Sequence, residues 1–259
     1  PSDTTRPVPY QGKTGILTPL LVLLHQTGIR RENIILLVGT GTHRPSTQDE
    51  KVAMFGDDVV AQYRIVDHEC DNDAMLVDIG KTKSGTEIFI NRFFSEADVK
   101  IATALVESHF MAGASGGRKA ICPALVSRRT IEKFHSAQVL DSPLATNLVL
   151  DGNPCHEEAL EIAKKAGVDF IINPATNLED SRRAIDLAER FPQVYACVGI
   201  HPHEAKSASE TSLIALEELA DHVLIIDHGR LLASGSPSEL MRSGATDELR
   251  FGAPAGVDT

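Results

Sequence analysis

The stretch from Asn33 to Val38 is a short apolar run with no polar alternation. A strand that is apolar on both faces has to be covered on both faces, the condition met in parallel sheets flanked by helices. The run empties into Gly39-Thr40-Gly41-Thr42-His43-Arg44-Pro45, after which Ser46 is placed to cap a helix with Asp49 at the reciprocal position. Other segments repeat this order of strand, loop and helix. Val99 to Val106 reads as a second buried run that delivers His109, and the helical pattern Pro154 to Lys165 leads into a strand from Val168 to Asn173. Thr14 to Gln26 is amphipathic and closed by Gly28, and Arg128 to Gln138 keeps helical spacing and carries His135. Met75 to Ile79 and Thr86 to Asn91 read as strands around the turn at Ser84-Gly85. The pattern predicts an α/β fold, mainly a parallel sheet with helices on both faces, with the loops at the strand ends carrying ligands.

Composition narrows the function classes. A chain of 259 residues, 42% hydrophobic and 24% charged, buries a normal core as one large or two modest domains. Its net charge of -11 argues against a nucleic-acid surface, because phosphate contacts need clustered Lys and Arg. Cys70, Cys122, Cys155 and Cys197 lie far apart without a C-x-x-C pair, which suits reduced thiols in a cytoplasmic protein. The longest apolar run, Ile16 to Leu24, contains Pro19 and is too short for a bilayer, so no membrane partner is expected. The chain opens at Pro1 without Met, which suggests a truncated or processed start.

Chemistry is expected around His109-Phe110-Met111-Ala112-Gly113-Ala114-Ser115-Gly116-Gly117-Arg118-Lys119. An imidazole and an amine flank a loop whose glycines let the backbone approach a ligand closely. A phosphate loop of the nucleotide triphosphatases is excluded by spacing, since Arg118 separates Gly117 from Lys119 and Ala120 follows. Asp3, Arg6, His43, His109 and Lys119 are expected to converge at the strand ends. Each also has an ordinary structural use: a satisfied core histidine, a solvated lysine, an N-terminal cap or a surface ion pair.

With these motifs assembled, Pro1 to about Asn173 resembles the nucleotide-binding half of the nickel-pincer lactate racemase family. The resemblance rests on Ser2-Asp3-Thr4-Thr5-Arg6-Pro7, Gly41-Thr42-His43-Arg44-Pro45, the His109 to Lys119 loop, Ile121-Cys122-Pro123 and Asn153-Pro154-Cys155-His156-Glu157-Glu158. It implies a racemase or epimerase of a small 2-hydroxy acid, lactate-like, working by reversible hydride transfer to a nickel-pincer nucleotide. By this resemblance Lys119 tethers the pyridinium mononucleotide, Gly116 and Gly117 help to hold it, Asp3 helps to position the substrate or the cofactor, and His135 is the protein's ligand to nickel. His43 and His109 become the acid/base pair, and Arg6 holds the substrate carboxylate. Ala124 stands where the family usually has glycine after the proline. The family's second domain has no counterpart here, so the site is expected to be open to water and turnover impaired.

From about residue 174 the resemblance changes. Asp180-Ser181-Arg182-Arg183 through Tyr195 and Gly199-Ile200-His201-Pro202-His203-Glu204-Ala205 looks like a fragment of the TatD-type metal-dependent deoxyribonucleases, to about Leu219. From about Glu217, Leu219-Ala220-Asp221-His222-Val223, Asp227-His228-Gly229-Arg230 and Gly235-Ser236-Pro237 look like the tail of an ABC-transporter ATPase subunit. Neither fragment brings its catalytic set, so residues 174–259 are expected to be a chimeric α/β extension, structural at most. Helices are expected at Leu178 to Arg190 and Ser209 to Ala220, apolar strands at Val194 to Val198 and Val223 to Ile226, and a frayed tail from Ala253 to Thr259. Two further readings stay open: a non-catalytic α/β remnant that binds cofactor or metal, and a metal-dependent hydrolase acting through His201 and His203.

Overall fold

The computed structural model describes residues 1–243 except Pro7, Lys13, Thr14, His228 and Gly229, and the side chains of Pro202, His203, 225–227, 230–232 and 243 also lie outside that description. Pro7 of the first motif, His228 and Gly229 of the transporter-like run, and the tail Ala253 to Thr259 therefore fall outside it. The chain divides into two compact units, Pro1–Ile171 and Ile172–Thr259. Among the described residues no helix is long and apolar enough to cross a membrane.

The first unit is built around β1 (Ile35–Val38), which pairs in parallel with β2 (Arg64–Asp67) through α2 (Gln48–Phe55) and α3 (Asp57–Gln62). Leu36 and Val38 are buried in a cluster with Tyr10, Leu17, Leu21 and Phe55, whereas Leu37 packs against a second cluster. That double burial is the physical reason for a strand sequence without alternation. α1 (Leu17–Gln26) contributes Leu17 and Leu21 to the first cluster. The second cluster gathers Ile88 and Ile90 of β4 (Glu87–Asn91), Ile131 and Phe134 of α5 (Arg128–Phe134), and Ala159 and Ile162 of α7 (Pro154–Lys165). β4 forms an antiparallel hairpin with β3 (Leu76–Lys81) around Gly85, and α4 (Arg92–Glu96) follows it.

His68, to which the sequence assigned no role, joins these parts. Fully buried, it receives the Asn91 Nδ2–H at Nδ1 (3.0 Å) and donates Nε2–H to the Val126 carbonyl (3.0 Å), while its backbone N–H meets the Val38 carbonyl (2.9 Å). Burial lowers its pKa, so the neutral ring with one defined tautomer is the one that fits.

The α/β class holds, but the sheet is organised differently from the expectation. The strands form two-stranded pairs, and within the first unit β1 and β2 are the parallel one. Val99 to Val106 is irregular, with Val99 and Val106 about two-thirds exposed at 62% and 66%. An apolar run becomes a strand only when another backbone edge pairs with it, and this one finds none among the described residues. His109 sits instead in β5 (Ser108–His109), a two-residue strand antiparallel to β6 (Gly113–Ala114). The helix cap falls one residue later than expected: Thr47 caps α2 and Glu50, not Asp49, closes the reciprocal box. The helix expected from Arg128 to Gln138 breaks at His135, after which α6 (Ala137–Leu140) starts anew.

In the second unit β7 (Ile171–Pro174) and β8 (Val194–Cys197) form one pair, with α8 (Leu178–Arg190) between them in sequence. Asn177 caps α8 by accepting the Asp180 N–H at 2.9 Å, and the Ser181 hydroxyl accepts from Gly199 N–H at 3.1 Å. α9 (Glu210–Leu219) precedes the antiparallel pair β9 (Val223–Asp227) and β10 (Arg230–Gly235), and α10 (Pro237–Ser243) ends the description.

Candidate active site

The chain start is held in place by backbone geometry. Gly39 N–H donates to the Pro1 carbonyl at 2.8 Å, Ser2 forms a parallel bridge to Gly39, and Ser2 N–H donates to the buried Tyr10 hydroxyl at 2.6 Å. This brings Asp3, which is buried, beside the loop that follows β1. Its Oδ1 accepts the Thr5 N–H (3.1 Å) and hydroxyl (2.6 Å), and its Oδ2 accepts His43 Nδ1–H at 2.6 Å. A carboxylate only accepts, so the proton on the neutral His43 ring belongs to Nδ1 and the lone pair to Nε2. Gly39 suits this spot because a Cβ on it would stand 3.0 Å from the Cβ of Ala124, a contact to which one of the two backbone segments would have to yield. The alanine that replaces the family's usual glycine is thus accommodated by a glycine opposite, and Gly41 N–H still reaches the Ala124 carbonyl at 3.0 Å.

The second wall is the turn from His109 to Lys119. His109 Nδ1 accepts the backbone N–H groups of Met111 (3.3 Å) and Ala112 (3.2 Å), and its ring stacks on Phe110 at 4.9 Å. Burial, then the charges of Lys119, Arg6, Arg118 and His135, lower its pKa to about 4. Gly116 adopts φ +69°, and a Cβ there would lie 2.9 Å from the Leu105 carbonyl, so only glycine fits; its own carbonyl accepts the Lys119 N–H at 2.9 Å. Lys119 follows on a single turn, Gly117–Ala120, of 3-10 helix. Burial and the neighbouring Arg6 and Arg118 lower its amine to about pKa 8, and among the described residues its Nζ has no carboxylate partner.

Asp3, Arg6, His43, His109, Gly116, Lys119 and His135 all line one cleft of about 910 Å³, within the size range of small-ligand sites. Gly117 does not line it and is exposed. Arg6 is paired with Glu107 at 3.2 Å, both side chains being nearly half exposed, so the pair is weak and exchangeable. His135 is the residue at which α5 ends, and burial followed by the charge of Lys119 lowers its pKa. The cleft lining balances Arg6, Lys100 and Lys119 against Asp3, Glu96 and Asp98, and the cations gather at its His109 end, where Arg6 and Lys119 face the imidazole and could meet a small anion.

Several supporting residues were not singled out from the sequence. Arg118 donates Nη2–H to the carbonyls of Ala112 (2.6 Å) and Ala114 (3.1 Å). Asn153 caps α7 through Oδ1 while its Nδ2 donates to the Met111 (3.0 Å) and Val149 (2.9 Å) carbonyls. The Asn-Pro pair before a helical pattern signals the cap, but no local pattern signals the second contact, which spans 42 residues. In the second unit His201 N–H meets the Thr176 carbonyl at 2.8 Å, and the His203 side chain lies outside the description. Among the described residues no three His, Cys, Asp or Glu side chains converge as a metal site.

An aspartate-oriented imidazole, a second imidazole with a lowered pKa and a partly desolvated amine in one cleft equip an α/β unit for acid–base and covalent chemistry on a small ligand. The chain belongs to the lactate racemase N-terminal domain family, whose model matches residues 1–147. The model of the TatD related DNase family matches residues 141–232, a wider range than the sequence motifs suggested. The lactate racemase of Lactiplantibacillus plantarum is 41% identical over 172 residues, which is 66% of this chain and 40% of that protein. The lactate racemase apoprotein structure from Thermoanaerobacterium thermosaccharolyticum superposes with a TM-score of 0.59 at 38% identity, covering 64% of this chain and 39% of that one. The 3'-5' ssDNA/RNA exonuclease TatD of Cronobacter turicensis is 33% identical over 73 residues, 28% of each chain. The chain thus spans about 40% of the length of the curated racemases it matches.

Proposed function

We propose that this chain carries the cofactor-holding half of a nickel-pincer-dependent racemase or epimerase of a small 2-hydroxy acid, an isomerase activity, with Lys119 as the tether. The observation that carries the reading is Lys119 itself: a partly desolvated amine with pKa lowered to about 8 in the same cleft as His43, His109 and His135. An amine with that pKa offers a neutral, nucleophilic fraction near physiological pH that an ordinary surface lysine lacks.

The residues present fit the family's cofactor. Lys119 and Gly116 would hold the nucleotide, Asp3 would help to position it, and Gly117 would serve through its loop backbone. His135 would supply the one protein ligand to nickel, the remaining ligands belonging to the nucleotide. When bound, the group supplies reversible two-electron oxidation of the substrate's chiral carbon. The chain's own residues do the rest. Arg6 leaves its exposed partner Glu107 for the substrate carboxylate, which can accept a bidentate pair. His43 Nε2 takes the hydroxyl proton, and the Asp3 carboxylate at 2.6 Å stabilises the imidazolium so formed. His109 serves the same ligand from the other wall.

Intact mass and nickel content after incubation with the nickel-pincer nucleotide test the reading. An adduct on Lys119 is expected. An unchanged mass would leave the chain a non-catalytic α/β remnant. No geometry in the described residues favours hydrolysis through His201 and His203.

A further inference from the structure

The hydrogen-bond partners of the two cleft histidines differ in kind. His43 Nδ1 faces a carboxylate, which can only accept. His109 Nδ1 faces two backbone N–H groups, which can only donate. One neutral ring therefore carries its proton on Nδ1 and the other on Nε2.

We propose that His43 and His109 present opposite tautomers to the cleft, His43 an Nε2 lone pair and His109 an Nε2–H, and that Arg118 and Asn153 are the positioning residues that fix the second. The turn that supplies the Met111 and Ala112 amides is pinned at each successive carbonyl. Asn153 Nδ2 holds Met111, Arg118 Nη2 holds Ala112 and Ala114, and the Leu148 N–H holds Gly113 at 2.9 Å. A 180° ring flip would keep the stack on Phe110 but exchange Nδ1 for a carbon and strand both amides, so the two hydrogen bonds hold the orientation.

The consequence is a division of labour within the racemase reading, on which this inference builds. At rest the histidine pair offers one proton acceptor and one proton donor, so of the two rings it is His43 Nε2 that takes an incoming hydroxyl proton: the O–H bond breaks and an N–H bond forms. His109 offers its N–H to an anionic or carbonyl oxygen of the same ligand. To deliver a proton outright it must first gain a second one, which its burial and the facing Lys119, Arg6, Arg118 and His135 oppose.

The test needs neither cofactor nor turnover, so its failure leaves the Lys119 adduct experiment untouched. The full chain, labelled with 15N-histidine, is measured at neutral pH by long-range 1H–15N correlation, with His109 and His43 assigned from the spectra of His109→Asn and His43→Asn. The expected result is a protonated Nε2 and a bare Nδ1 for His109, and the reverse for His43. Arg118→Met should shift His109 towards an average of both tautomers and leave His43 unchanged. A protonated Nδ1 at His109, averaged signals in the unmodified chain, or one shared tautomer for both rings would overturn the proposal. A folded Arg118→Met chain with His109 unmoved would remove Arg118 from its positioning role.

Discussion

Residues before and after Ile171 show the same alternation of apolar runs and amphipathic helices, yet they bury very different amounts of it. The first unit closes two apolar clusters, in which Val38, Ile88, Ile90 and Phe134 are completely buried. In the second unit the buried side chains among the described residues are Ala184, Leu216, Ser181 and Ser212, while Ile172 and Tyr195 remain 70% and 54% exposed. A pattern specifies an element, but only a packed partner converts its apolar face into stability. The site residues follow the same division. In the first unit the candidate groups other than Gly117 share one cleft, whereas no cluster of metal-ligating side chains forms around His201 among the described residues.

The largest expected effect breaks the comparison at its centre. Lys119→Arg should abolish covalent cofactor attachment in intact-mass measurements with the far-ultraviolet circular dichroism unchanged, because a guanidinium keeps the charge without a nucleophilic amine. Full attachment in that variant would move the tether elsewhere. Next, in cofactor-loaded protein, His43→Ala should lower racemisation of a 2-hydroxy acid by about two to four orders of magnitude as loss of a general base, and His109→Ala by about two to three as loss of a donor to the substrate oxygen. Equal rates in the two variants and the parent would remove both histidines from the chemistry.

Stability sharpens the contrast between the units. Phe134→Ala should cost about 3–5 kcal/mol in chemical denaturation, while Leu216→Ala in the second unit should fall at the low end for leucine, about 2 kcal/mol. A smaller cost for Phe134 than for Leu216 would invert the comparison. A milder effect comes from pH. His109 and His156 have pKa values lowered to about 4, chiefly by burial, so the unfolded chain binds protons that the folded one refuses between their ordinary 6.5 and about 4. Stability should fall as the pH drops through that window, and His156→Gln, which removes a buried Nδ1 without a partner, should flatten the fall in melting temperature. At the bottom of the scale, His201→Ala should change neither melting of the first unit nor any metal-dependent DNA cleavage, of which none is expected. Cleavage lost in that variant would establish a hydrolase function for the second unit.

The amino-acid sequence by itself determined the α/β class, the strand at β1, the hairpin around Gly85, α7 with its Asn-Pro start, and the family membership carried by motifs in fixed order. These rest on local chemistry: periodicity, capping and turn residues within a few positions of one another. Tertiary structure decided what those signals cannot contain. Val99 to Val106 is apolar enough for a strand, but with no backbone edge to pair with among the described residues it stays irregular, and His109 is delivered by a two-residue strand instead. The Asp3 bond to His43, the Arg118 and Asn153 clamps on the turn, and the Ala124 fit against Gly39 each join residues that are neighbours only after folding, or whose side-chain direction is set by the folded turn. A sequence names the donor and acceptor types present; which nitrogen of a histidine is left facing a ligand depends on which partner the fold puts behind it.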